Sequence, residues 1–140
     1  MRILTIAMML ACGPAMAGVE VTPEEPTPEE IATSLAECAG FWLAYSELIR
    51  EESPQTADLA EGVARGGRLS AAMMASMFAD TPKQWADGIA GSHAIYWRSM
   101  LFDNITSDEE TKAQAEWCGT LNPLQTMIIQ GLRNKANGVD

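Results

Sequence analysis

The chain has 140 residues, 47% of them hydrophobic, and a formal net charge of −10 at pH 7. A chain this acidic repels nucleic acid and anionic lipid, so nucleic-acid binding is excluded from the leading interpretations and basic partners or cations are favoured. The length suits one domain with a single core.

The first seventeen residues have the pattern of a removable export signal. Arg2 gives a positive start, residues 3–11 form an apolar run, and residues 15–17 read Ala-Met-Ala, a small-x-small cleavage site. The apolar run is far shorter than the roughly 20 residues that span a bilayer, so a transmembrane anchor is not expected there. In an alternative interpretation Cys12 becomes a lipidated N-terminus, which would attach the protein to a membrane. We therefore predict a cleavable signal peptide over residues 1–17 and a periplasmic or secreted location.

An acidic, proline-rich leader follows over residues 18–26, and the first helix is predicted to begin directly after it. Thr27 suits the N-cap, Pro28 suits the first helical position, and Glu30 can close a capping box. With a helical rotation of about 100° per residue, four apolar side chains fall on one line along this helix. Its members are Ile31, Leu35, Trp42 and Ile49.

Two cysteines, Cys38 and Cys118, remain after removal of the signal, an even number for an oxidising compartment. Cys38 lies beside the apolar line of the first helix and therefore points into the core. We predict a disulfide between the two residues, which should restrict the unfolded chain by about 4 kcal/mol on the loop-entropy model. The alternative is a pair of free thiols that act in redox chemistry or bind a metal, although no C-x-x-C spacing is present.

The second helix is predicted from Pro54 or Thr56 to Phe78, with small residues along much of its length. Glycines at 62, 66 and 67 weaken a helix, and we favour close helix–helix packing over a hinge as their role. Arg65 and Arg68 flank the glycine pair and could hold an anion, although a solvated helix face is the favoured interpretation.

The third helix is predicted to start with Thr81 as cap, Pro82 at the first position and Gln84 closing a capping box, and to end near Asp103. It is apolar on nearly all sides, which is typical of a buried helix. It should be the central element, or else its spare faces contact a partner.

The fourth and fifth helices are predicted to begin near Ser107 and Asn122, and the fourth carries Cys118. No stretch shows sustained two-residue alternation, so no sheet is expected. The predicted fold is all-α: a compact bundle of four to five antiparallel helices in one domain over residues 27–136, stapled by one disulfide.

One candidate metal site combines methionines with the only histidine of the chain. The candidate ligands are Met73, Met77, His93 and Met100. Thioether and imidazole groups together suit copper(I), so a copper or small-ligand carrier is one alternative function. The competing interpretation is that methionines at helical spacing fill gaps in the core.

Carboxylate pairs occur at residues 29–30, 51–52 and 108–110, all at predicted helix ends. Compensation of the helix dipole explains them, and a hydrolase or an acidic enzyme inhibitor is the remaining alternative. No complete catalytic or cofactor motif is found. The leading prediction is an exported, non-enzymatic helical module that binds a protein partner or stabilises an envelope assembly.

Overall fold

The computed structural model describes residues 24–139, so the predicted signal peptide and residues 18–23 of the leader lie outside the described part of the chain. Within that part the protein is all-helical, and the predicted bundle is confirmed. The helices are α1 (Pro28–Ile49), α2 (Pro54–Ala75), α3 (Pro82–Phe102), α4 (Asp108–Gly119) and α5 (Asn122–Ala136). None of these helices is long and apolar enough to cross a bilayer.

The central element of the bundle is α1, which packs against both α2 and α3. Phe41 and Leu35 are its largest fully buried side chains. Of the two alternatives for α3, the central position is wrong, and contact of its spare faces with a partner stays a prediction. Ile95, Tyr96 and Phe102 of α3 are 67%, 53% and 50% exposed. The buried residues of α3 are Ala86, Ala90, Ala94 and Leu101, so three of the four are small.

Small residues let the helices of the bundle approach closely. A Cβ atom added to Gly40 of α1 would lie 2.5 Å from the carbonyl oxygen of Ala90 in α3. A Cβ atom added to Gly67 of α2 would lie 3.2 Å from the Leu35 carbonyl oxygen of α1. Gly67 therefore has the packing role predicted for it, whereas Gly62 faces open space.

Helix α5 lies along α2, and its contacts explain why residue 66 is also a glycine. Gln125 donates a hydrogen bond from Nε2 to the Val63 carbonyl oxygen at 3.3 Å. A Cβ atom added to Gly66 would collide with this same amide. Leu121 and Ile128 pack on the core formed by α1, α2 and α3, so the C-terminal helix covers one side of the bundle.

Two of the helix starts carry complete capping boxes. At α1, the Thr27 N–H donates to Glu30 Oε2 at 2.7 Å, and the Glu30 N–H donates to Thr27 Oγ1 at 3.2 Å. Ser107 and Glu110 make the same pair of bonds at α4. The box predicted at the start of α3 is wrong, because in the described structure the Thr81 side chain makes no capping hydrogen bond. Thr81 has ψ 71° instead of the extended 158° of Thr27, so its hydroxyl does not reach the amide it would cap.

Replacing Thr27 with alanine should therefore cost about 1 kcal/mol of unfolding free energy, whereas Thr81→Ala should stay within about 0.5 kcal/mol of wild type. The Thr27 backbone N–H, and then its hydroxyl, lower the pKa of Glu30 from its ordinary value of 4.5. A lowered folded-state pKa means that this stabilisation is present above the ordinary pKa and is lost as pH falls through the folded value. Thr27→Ala keeps the backbone N–H and loses only the smaller contribution of the hydroxyl, so the difference in unfolding free energy between wild type and Thr27→Ala should narrow only slightly as pH falls below 4.5. Urea denaturation at pH 7 and pH 3 measures the unfolding free energy of wild type and each variant. Equal losses for Thr27→Ala and Thr81→Ala at pH 7 would contradict the capping role of Thr27.

Candidate functional site

The predicted disulfide joins α1 to α4. Cys38 and Cys118 have a sulfur–sulfur distance of 2.05 Å and a Cα–Cα distance of 5.4 Å, across a sequence separation of 80. Both residues are buried, and Cys118 is the one buried residue of α4. The covalent bond is therefore the main attachment of α4 to the rest of the bundle.

An aromatic cluster surrounds this bond. The ring of Phe41 meets the rings of Trp42 and Trp97 edge-on, with centroids 5.0 and 5.1 Å apart, and Tyr45 stacks at 6.0 Å. Aromatic pairs at these separations stabilise beyond the area that they bury. Trp42 and Tyr45 belong both to this cluster and to the lining of a surface groove. The cluster therefore holds one wall of that groove in place.

We call this surface the aromatic groove; it lies between the C-terminal half of α1, the end of α3 and α4. Its volume is about 620 Å³. The apolar floor consists of Trp42, Tyr45, Leu48, Leu101 and Ala115. The polar rim consists of Thr56, Asn104, Thr106, Asp108, Thr111 and Lys112.

Exposed apolar side chains occur on the floor of the aromatic groove and next to its lining residues in the chain. Leu48 is partly exposed on the floor, and Phe102 and Ile105 are 50% and 61% exposed beside the lining residues in the chain. Exposed apolar surface that adjoins a groove and is rimmed by polar groups is typical of an interaction site. The arrangement suits a ligand held by apolar contact and oriented by a few hydrogen bonds.

One polar atom on the floor of the groove has no partner. The indole Nε1 of Trp42 is buried, and within residues 24–139 it makes no hydrogen bond. A buried donor left unpaired costs about 1–3 kcal/mol.

The residues of the copper(I) prediction lie at different levels of the bundle. Met77 is exposed at the end of α2, beside residues 27–29. His93 lies midway along α3, with Nε2 3.2 Å from the Glu37 Oε1 atom of α1. Because an α-helix rises about 1.5 Å per residue, Glu37 is roughly 12 Å along α1 from Glu29. The structure therefore does not bring Met77 and His93 together.

The other two predicted ligands are half-buried. Met73 lies near the end of α2, and Met100 lies seven residues, roughly 10 Å, beyond His93 along α3. Met74, which the sequence analysis left out of the site, packs on the main core. Residues 24–139 contain no group of three or more His, Cys, Asp or Glu side chains placed to hold a metal, and the copper(I) site stays a prediction.

Two of the carboxylates at the helix ends cap the helices that carry them. Glu30 and Glu110 accept the capping hydrogen bonds described above. Hydrogen bonds from the Ser107 backbone N–H and hydroxyl, and from the Thr106 hydroxyl, lower the pKa of Glu110. Asp108 is the one member of these pairs that also lines the aromatic groove.

Comparisons with protein-family models, with curated proteins and with solved structures give no match to this chain. The interpretation of the aromatic groove therefore depends on its own geometry and chemistry.

Proposed function

We propose that the protein is an exported, non-enzymatic helical module that binds a segment of a partner protein in the aromatic groove. The observation that supports this most is the groove itself: about 620 Å³ with an aromatic and aliphatic floor. Pockets that hold ligands are about 300–1,000 Å³ and combine an apolar lining with a few polar groups. The aromatic groove fits that description.

The floor provides the side chains that most often supply binding energy at protein interfaces. Trp and Tyr are enriched among such residues, because they bury large area at small conformational cost. Trp42 and Tyr45 are held in place from behind by Phe41, so they are ordered before a partner arrives. Such preorganisation lowers the entropic cost of binding.

The rim and the overall charge indicate the chemistry of the partner. Threonine and asparagine side chains at the rim can donate to and accept from a peptide backbone, which an apolar side chain of the partner would anchor on the floor. The net charge of −10 favours a basic partner and raises its association rate at low salt.

Export to the periplasm or the medium is part of the proposal. A disulfide is stable in an oxidising compartment and is rare in the cytosol, and the Cys38–Cys118 pair is formed. The signal-like pattern at residues 1–17 agrees with that location.

In-cell photo-crosslinking tests the proposed function without knowing the partner. A benzophenone amino acid replaces Lys112, whose side chain is 77% exposed at the rim of the groove. We expect a discrete adduct whose partner peptide maps to one basic segment, because the probe lies over the binding site.

The matched control places the same amino acid at Arg133, which is exposed on α5, and should give no such adduct. Adding Leu48→Asp to the Lys112 probe should remove the adduct, since a carboxylate on the floor opposes apolar binding. No adduct from position 112, or the same adduct from position 133, would refute partner binding in the groove.

A further inference from the structure

A second groove lies between α2 and α3, and three of its six lining residues are cationic. We call it the basic groove; its volume is about 290 Å³. The lining residues are Arg65, Arg68, Leu69, Ala72, Lys83 and Asp87. Three cations and one carboxylate line this surface on a chain whose net charge is −10.

Two arginines elsewhere in the described structure, Arg98 and Arg50, have close carboxylate partners. Arg98 binds Glu47 with two hydrogen bonds of 2.6 Å. Arg50 binds Asp58 at 2.9 Å and Glu61 at 2.8 Å. These guanidinium groups are therefore neutralised within the protein.

The two arginines of the basic groove share carboxylates that other cations already occupy. Arg65 is 3.6 Å from Glu61, which Arg50 binds more closely. Arg68 is 3.9 Å from Asp87, which Lys83 binds at 2.6 Å. Arg68 and Lys83 share the single carboxylate of Asp87, so the groove keeps one excess positive charge, and the long separations leave guanidinium donors of Arg65 and Arg68 unused.

The floor between the cations is apolar. Leu69 is 50% exposed there, and Ala72 lies one turn along α2. Guanidinium groups bind phosphate through paired N–H donors, and an ammonium adds a point charge. The size of the groove suits a small molecule and not a polymer, and the acidity of the whole chain opposes nucleic acid and anionic membranes.

We propose that the basic groove binds a small phosphate monoester that carries a short apolar group. Arg65, Arg68 and Lys83 would hold the phosphate, and Leu69 and Ala72 would contact the apolar group. The site is separate from the aromatic groove, so it does not depend on the proposed partner binding. The sequence places the two arginines near each other, but Lys83 and the floor come together only in the fold.

NMR titration of the full chain with hexyl phosphate at low salt tests this site. We expect saturable shifts of amides in residues 65–72 and 83–87, and about tenfold tighter binding than for inorganic phosphate or hexanol alone. Arg65→Gln combined with Arg68→Gln should weaken binding at least about tenfold, because two charge-assisted contacts are lost.

Arg133→Gln combined with Lys135→Gln is the matched control, since it removes the same charge from α5, and it should leave binding within about twofold. No saturable shift in the groove, an equal loss in both double variants, or equal binding of hexanol and hexyl phosphate would each overturn the proposal. Binding to phosphatidylglycerol vesicles without binding of hexyl phosphate would also overturn it, because it would assign the cations to a lipid surface. Circular dichroism confirms that each variant is folded before its result is counted.

Discussion

Replacing both cysteines, by Cys38→Ala with Cys118→Ala, should lower the free energy of unfolding by about 4 kcal/mol. The disulfide closes a separation of 80 residues, and without it the unfolded chain gains the corresponding entropy. Small domains are stable by only about 5–15 kcal/mol, so this loss is a large share of the total. Urea denaturation monitored by tryptophan fluorescence measures it.

The effect should fall most heavily on α4, because Cys118 is its one buried residue. In the double variant, backbone amides of α4 should exchange with solvent faster than those of α1, as expected for a locally detached helix. Reduction should destabilise the wild type to the level of the double variant and should leave the double variant unchanged. A loss below about 1 kcal/mol, with α4 still protected, would show that packing and not the bond holds this helix.

The second large effect concerns Gly40, where even one added methyl group should destabilise the bundle. A Cβ atom there would meet the Ala90 carbonyl oxygen at 2.5 Å and the Ala94 amide nitrogen at 2.8 Å. Both atoms belong to the backbone of α3, so no side-chain rotation relieves the overlap and the two helices must move apart. We expect Gly40→Ala to cost about 1–3 kcal/mol, despite the better helix propensity of alanine.

Gly88 provides a control of opposite sign in the same chain. It lies in α3 with open space around its added Cβ atom, so Gly88→Ala should stabilise by about 0.5–1 kcal/mol through helix propensity alone. Thermal denaturation of the two variants, side by side, should shift the midpoints in opposite directions. A Gly40→Ala variant as stable as wild type would mean that α1 and α3 are not in close contact at this level.

Local signals in the sequence predict the start of the bundle well. Thr27, Pro28 and Glu30 satisfy the first amides of α1, and the structure shows each in its predicted place. The disulfide was predictable because only two cysteines lie outside the predicted signal peptide, and Cys38 faces the core of the bundle from α1. The capping box depends on residues that are close in sequence, and two cysteines allow only one disulfide pairing.

The position of α3 was not predictable from its hydrophobicity. An apolar helix is usually buried, but here the closest approach to α1 is made through Gly40 against Ala90 and Ala94. Two helices approach closely where their side chains are small, whereas a hydropathy pattern is dominated by large apolar side chains. Ile95 and Phe102 consequently lie outside.

The aromatic groove was missed for a different reason. Its lining comes from α1, α2, α3, α4 and the connection between α3 and α4, so no spacing along the chain identifies it. The available signal was Tyr45 one turn after Trp42 on α1, where the sequence predicts only the apolar line that contains Trp42. They do contact the core through Phe41, and their other sides form the groove.

The most direct test of this account is whether α4 closes the aromatic groove over Trp42 in solution. A NOESY spectrum of the oxidised full chain measures it through contacts between the Ala115 methyl group and the aromatic cluster, since Ala115 and Trp42 both pack against the cluster of Cys38, Phe41 and Cys118. We expect these contacts in the oxidised protein and their loss on reduction. Their absence from the oxidised protein would contradict the groove, and with it the proposed binding of a partner.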